Sequence, residues 1–297
     1  MMEVPVESPP AIRRSRCGPP GAAAFCYGAG RDLGRVIRTH LFGITMNHAG
    51  STFLMRAVAT CRAVWSLPFE GQFALGYAGP MLGRGNLAGA RKIWGSRRRW
   101  REALTDADAY DWARIRAAWY FQARARDPRA PVFFTKSPPH LLVVEELARR
   151  FSNPRFLFLV RNPYAVCEGI CRFRESRGLG LSDGSLPEMA ARHAVACLDV
   201  QRRNIAAHGG RGVFFTYETM CMEPERVAAA IRRLVPELED FDLRQRLAVG
   251  RYHEMLTDMN ERHIARLTPA RIAAFNRVFR PRRDLLDHFG YEMLPDC

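Results

Sequence analysis

Four stretches of the chain are apolar without alternation: His40–Met46 (HLFGITM), Pro131–Thr135 (PVFFT), Arg155–Val160 (RFLFLV) and Gly212–Thr216 (GVFFT). Short continuous runs of this kind predict strands buried on both faces, as in a parallel sheet. Between them apolar residues recur at helical spacing, near Ser51–Arg62, His140–Phe151, Pro163–Arg174, Pro187–Ala207 and Pro224–Leu234. Strands alternating with helices predict an α/β fold, a three-layer α/β/α arrangement around a central parallel sheet.

Two regions break the rhythm. Residues 1–36 carry Pro9-Pro10, Pro19-Pro20, clustered arginines and several glycines, and are expected to be a disordered lead-in. Within it, Gly21–Gly30 has small residues after a basic run, but its apolar centre is too short and glycine-rich for a signal peptide. Residues 37–297 then form one domain, interrupted at about 71–127 by glycine-rich loops, the basic tract Arg97–Arg101 and an amphipathic helix near Tyr110–Arg124. That interruption reads as an insertion able to cover an active site. The tail, Thr268–Gly290, is expected to be one long helix with Pro269 in its first turn. There are no internal repeats, and no run approaches the roughly 18 apolar residues of a membrane span.

Charge narrows the partners only a little. The net charge is +15, yet just two of the 45 basic residues are lysines, Lys92 and Lys136. So strong an arginine bias is what gene composition produces, and much of the charge is a solvated surface. A basic chain still favours anionic ligands. No zinc-finger spacing or aromatic-basic RNA signature accompanies the charge, so nucleic acid is not expected as a partner. Eight cysteines (Cys17, Cys26, Cys61, Cys167, Cys171, Cys197, Cys221, Cys297) are scattered without a CxxC pair. They read as reduced thiols of a cytoplasmic protein, with no metal site expected.

Candidate chemistry gathers where strands end. In MNHAGSTFLMRA (46–57) a strand meets a glycine-containing turn whose hydroxyl residues open a helix, an arrangement that aims N–H groups at one anion. The plain alternative is a strand-turn-helix in which Ser51 is the N-cap. A Walker lysine is missing after Gly50, which weakens a P-loop kinase or nucleotidase reading. In RFLFLVRNPYAVCEGICRF (155–173), Arg161 stands at the carboxyl end of a strand, where open α/β sheets bind ligands and a guanidinium grips phosphate bidentately. Its alternative is a salt bridge to a neighbouring helix. Glu70, in LPFEGQ, is placed to accept a proton from a substrate hydroxyl, or is merely a surface carboxylate. Lys136, in FFTKSPPHLL, is a compact ammonium in a chain that otherwise chooses arginine.

Together these segments resemble sulfotransferases that use 3′-phosphoadenosine 5′-phosphosulfate (PAPS), with the bacterial and protein-tyrosine members most similar. The resemblance runs over about residues 40–235, plus FGYE near Gly290. It implies a P-loop-NTPase-like fold and PAPS as co-substrate, with no metal. The 5′-phosphosulfate loop corresponds to His48, Ala49, Gly50, Ser51, Thr52 and Phe53, and Arg161-Asn162-Pro163 corresponds to the 3′-phosphate signature. FFTYETMCMEPERV places Tyr217 near the nucleotide. Glu70 matches the family's base, and Lys136 matches a lysine that contacts the transferred group; His48 joins them as a catalytic candidate. The acceptor implied is a small molecule, peptide or carbohydrate.

Two positions depart from the family pattern. His48 stands where the loop usually has a permanent cation, and Gly169 stands where a serine is expected eight residues after Arg161. Arg172 or Arg174, one helical turn on, is positioned to make up for that hydroxyl. The rival readings are a P-loop kinase and a catalytically decayed nucleotide-binding module of the same fold.

Overall fold

The computed structural model describes residues 26–28, 32–74, 112–178, 185–249 and 252–296. Most of the lead-in expected to be disordered lies outside these residues. Its described end carries structure: a strand, β1 (Cys26–Tyr27), and a short helix, α1 (Leu33–Val36). Then follow β2 (Thr39–Thr45), α2 (Ser51–Ala59) and β3 (Val64–Ser66). After α3 (Trp112–Gln122) come β4 (Arg124–Ala125), β5 (Val132–Lys136), α4 (Val144–Arg150) and β6 (Pro154–Val160). Next are α5 (Pro163–Glu175), α6 (Leu186–His208), β7 (Gly212–Thr216), α7 (Tyr217–Met222) and α8 (Pro224–Leu234). A hairpin of β8 (Leu247–Val249) and β9 (Tyr252–Glu254) leads to α9 (Asn260–Ile264), α10 (Pro269–Phe279) and α11 (Arg283–His288).

The first seven strands form one sheet in the order β1-β4-β3-β5-β2-β6-β7. Its centre, from β3 to β7, is parallel, and β4 joins β3 and β1 antiparallel at one edge. Successive residues of each strand feed different layers. Phe42, Ile44, Phe156 and Phe158 pack with Tyr164 of α5 and Leu198 of α6, whereas Leu41, Leu157 and Leu159 pack with Leu54 of α2 and Ile231 of α8. Both sets are fully buried, each large side chain contributing about 1.5–3 kcal/mol. Burial on both faces is why β2, β5 and β6 carry no polar alternation; β7, at the edge of the sheet, departs from that expectation and leaves Phe214 exposed.

The four apolar runs are all strands, and the helices near 163–174, 187–207 and 224–234 form within a residue of expectation. Other expectations need correction. The helix near His140–Phe151 divides into a 3₁₀ turn, Pro138–Leu142, and α4, because Val143 leaves the helical region (φ −126°, ψ 25°). The tail breaks at Pro281, which has no N–H to continue α10 and whose ring crowds the preceding turn. The body of the region taken as an insertion, with Arg97–Arg101, lies outside the described residues. Its described end is built into the domain: Trp119 of α3 is buried against Phe42 and Phe133, and β4 is part of the sheet. Among the described residues no helix is long and apolar enough to cross a membrane.

Candidate active site

The chain leaves β2 for β3 and β5 on one side and reaches β6 and β7 on the other. This reversal opens a crevice beyond the carboxyl ends of β2 and β6, where ligands of open α/β sheets bind. The segments after β2, β5, β6 and β7 all meet there because those strands run parallel.

The turn after β2 depends on unusual backbone. His48 has φ 59° and Gly50 has φ 78°, a region that favours glycine. Gly50, not Ser51, caps α2, and Ser51 is the first helical residue. A Cβ at Gly50 would stand 2.4 Å from the Tyr217 ring, so glycine is required for space as well as for conformation. At the start of α2 the Phe53 N–H donates to the Gly50 carbonyl at 3.3 Å, which leaves the N–H groups of Ser51 and Thr52 without an intrahelical acceptor at the positive end of the helix. Ala49 and Ser51 are buried, and Thr52 is exposed. Phe53 turns its side chain into the core with Leu41 and Leu54 and contributes packing.

Arg161, immediately past β6, is buried. Its Nε donates to Asn260 Oδ1 at 2.8 Å and its Nη1 to the His48 carbonyl at 3.0 Å. The guanidinium carbon lies 4.2 Å from the centroid of Tyr217, whose hydroxyl donates to the Thr257 carbonyl at 2.7 Å. Among the described residues no carboxylate forms an ion pair with Arg161, and its buried Nη2 has no hydrogen-bond partner. Neutral groups thus aim a full positive charge and leave one donor group open. A buried donor without a partner costs about 1–3 kcal/mol, a cost that an anionic ligand would remove.

Glu70 and Lys136 meet across the crevice as an ion pair. Lys136 is the last residue of β5 rather than a residue beyond it. Its stem crosses β2 at Gly43, where a Cβ would lie 2.9 Å from Lys136 Cγ. Glu70 Oε2 accepts from Gln72 Nε2 at 2.9 Å. Its loop is pinned from below: Trp119 Nε1 donates to the Gly71 carbonyl at 2.9 Å, and Gln72 N–H donates to Ser137 Oγ at 3.0 Å. The lysine is almost wholly buried while the carboxylate keeps about a quarter of its surface exposed, so Glu70 is the member that meets solvent.

His48 is tied to Arg161 through its carbonyl. Burial pushes its pKa down to about 4, and Arg172, Arg161, His263 and Lys136 each add to the depression. The ring is therefore neutral near pH 7 in the free protein, unlike the permanent cation of the family pattern. It rests against Gly169 and lies 5.8 Å from the Phe173 ring. Arg172 is held near by Glu168, whose Oε1 accepts from Arg172 Nε at 2.9 Å. Arg174 is buried. Among the described residues no group of three or more His, Cys, Asp or Glu side chains is arranged to hold a metal.

Two residues outside the sequence candidates, Asn260 and Glu218, help hold this site together. Asn260 of α9 accepts from Arg161 and donates to Glu218 Oε1 at 2.5 Å, and Glu218 also accepts from the Asn162 N–H at 2.9 Å and from the Tyr291 hydroxyl at 3.0 Å. Glu218 thereby ties the segments after β6 and β7 to α9 and the tail. Nothing local marks Asn260, which is 99 residues from Arg161 in the chain. Glu218 carries a signal, the YE pair after β7, whose tyrosine alone stands among the candidates.

Comparison with known proteins gives a family and a fold. The model of a sulfotransferase family matches residues 41–240, more than half of the chain. Among curated protein sequences none matches it. A sulfotransferase structure from Alicyclobacillus acidocaldarius is similar at a TM-score of 0.54 and 10% identity, over 86% of this chain and 98% of that one. At such identity the likeness speaks for the fold. Looser likenesses, to the sulfotransferase domain of the curacin biosynthetic pathway (TM-score 0.49, 17% identity, 86% and 98% covered) and to a Mycobacterium avium sulfotransferase (0.46, 17%, 87% and 78%), add nothing to that.

Proposed function

The chain belongs to the sulfotransferase family, and from that premise we propose that it transfers a sulfuryl group from PAPS to a hydroxyl or amine of an acceptor. One observation carries the choice of donor: Arg161, buried at a strand end, has an unpartnered Nη2 beside a glycine turn and a helix N-terminus. A nucleotide bearing a phosphate at each end fits two adjacent anion sites of this kind.

The loop N–H groups of residues 49–52 and the Ser51 and Thr52 hydroxyls would hold the 5′ end, with Arg161 and Arg172 at the 3′ end and Tyr217 backing both. When bound, PAPS supplies the activated sulfuryl group. Glu70 accepts the proton that leaves the acceptor oxygen or nitrogen. Lys136, freed from part of its pairing as Glu70 is protonated, donates to negative charge developing beside it. Fixed donors aimed at developing charge are the largest catalytic contribution in sites of this type. Free thiols at Cys61, Cys167, Cys171, Cys197 and Cys221 support a reducing, cytoplasmic setting.

Labelled PAPS, incubated with the protein and a panel of phenols, amines, carbohydrates and tyrosine peptides, tests the reading. Label should reach at least one acceptor, and transfer should persist in EDTA, since protein donors take the place of magnesium in this reading. Phosphoryl transfer from ATP that requires magnesium would support the kinase reading instead. Nucleotide binding without transfer to any acceptor would mark a decayed module.

A further inference from the structure

His48 and Gly169 lie on different segments yet pack directly on each other. A Cβ built at Gly169 would stand 3.1 Å from His48 Nδ1 and 3.2 Å from its Cβ and Cγ, tighter than ordinary contact. The left-handed backbone at His48 turns its ring onto α5, and Phe173, one turn along that helix, bounds the ring on another side. The same residue is fastened by its carbonyl to Arg161, whose Nη2 is the open buried donor. Arg172 is the strongest charge acting on the imidazole, ahead of Arg161, and Lys136 on the transfer side is the weakest of those acting on it. The ring itself makes no hydrogen bond among the described residues. Its surroundings thus belong to the arginine side of the crevice.

We propose that His48 and Gly169 are a matched pair, in which the imidazole takes the space of a side chain at position 169 and supplies a hydrogen bond to the second, 3′, phosphate of the nucleotide. The two departures from the family pattern are then one change: a serine at 169 would press on the ring, and a histidine at 48 needs glycine opposite. A neutral imidazole still carries one N–H donor, so the role does not require the ring to be charged. This inference rests on the nucleotide reading above and assigns His48 to the phosphate opposite the transferred group.

Titration calorimetry with adenosine 3′,5′-bisphosphate and with adenosine 5′-monophosphate tests it. His48→Ala should weaken bisphosphate binding about 10-fold or more, the scale of a hydrogen bond to a charged group, while changing monophosphate binding less than about 3-fold. His48→Gln, which keeps a donor, should retain most of the discrimination and guards against a folding defect in the alanine variant. Gly169→Ser should weaken bisphosphate binding in the wild-type background and strengthen it in the His48→Ala background. Equal losses for both nucleotides in His48→Ala would overturn the proposal, as would a Gly169→Ser effect of the same sign in both backgrounds. A wild-type protein that binds neither nucleotide, or both alike, would instead remove the donor assignment and this inference with it.

Discussion

The two halves of the crevice treat charge in opposite ways. On the side proposed for the acceptor, Glu70 and Lys136 neutralise each other, and the loop beneath them is pinned by Trp119 and Ser137. On the side proposed for the nucleotide, Arg161 is held by an amide and a carbonyl, sits on an aromatic ring and retains an open donor. The first half is complete without a ligand and suits a neutral group that arrives with a proton to lose. The second is unfinished electrostatically and suits an anion. The difference separates chemistry from affinity, so substitutions in the two halves should fail in different ways.

The largest effect is expected on the acceptor side. Glu70→Gln should lower turnover about 10²–10⁴-fold, the usual worth of a positioned base, and leave nucleotide affinity unchanged. Near-normal turnover by initial-rate assay would reduce Glu70 to a structural partner of Lys136. On the other side, Arg161→Ala should lose at least ~1.5–3 kcal/mol of bisphosphate binding by calorimetry, since it removes hydrogen bonds to a charged group. Unchanged affinity there would mean that the open Nη2 serves no anion.

Two glycines sharpen the comparison because each supports one half. Gly71→Ala places a Cβ 2.6 Å from Thr135 Oγ1, beneath the Glu70 loop, and Gly50→Ala places one 2.4 Å from the Tyr217 ring. Overpacking of this order costs about 1–3 kcal/mol. The first variant should lose turnover with nucleotide affinity kept, and the second should lose affinity. Identical kinetic and binding defects in both would show that the halves do not act separately.

The smallest effect is a pH dependence. His48 titrates near pH 4 in the free protein, and a bound phosphate favours the imidazolium, so its pKa rises in the complex. Binding then takes up a proton between the two values. Affinity should weaken as pH rises from about 4 and level off above the bound-state pKa. The ligand's own phosphates also titrate near pH 6, a contribution shared by every variant. The informative quantity is therefore the ratio of wild-type to His48→Gln affinity, which should fall with pH, whereas His48→Arg should show a flatter profile than wild type. A constant ratio would mean that His48 takes no charge from the ligand.

Much of the site was legible because strand ends are local features. Continuous apolar runs located β2, β5, β6 and β7, and whatever followed them had to lie on one edge of the sheet, which brought His48, Lys136, Arg161 and Tyr217 together. Glu70 stood out in LPFEGQ as a candidate proton acceptor and by resemblance as the base, but only the structure pairs it with Lys136. What escaped depends on contacts between distant segments. Asn260 and Glu218 act through partners that no periodicity links, and Gly169 read as a missing hydroxyl until its contact with His48 was visible. The short antiparallel edge strands carry too few residues to show a pattern. Pro281 was a visible stop signal inside the tail that the helical spacing around it obscured.

The central claim is that the nucleotide half of the crevice reads two phosphates. Calorimetry of the wild-type protein with adenosine 3′,5′-bisphosphate and adenosine 5′-monophosphate, at one pH and one salt concentration, tests it most directly. The account predicts tighter binding of the bisphosphate, by about 10-fold or more if the second phosphate gains one hydrogen bond to a charged group. Equal affinity for the two nucleotides would contradict it.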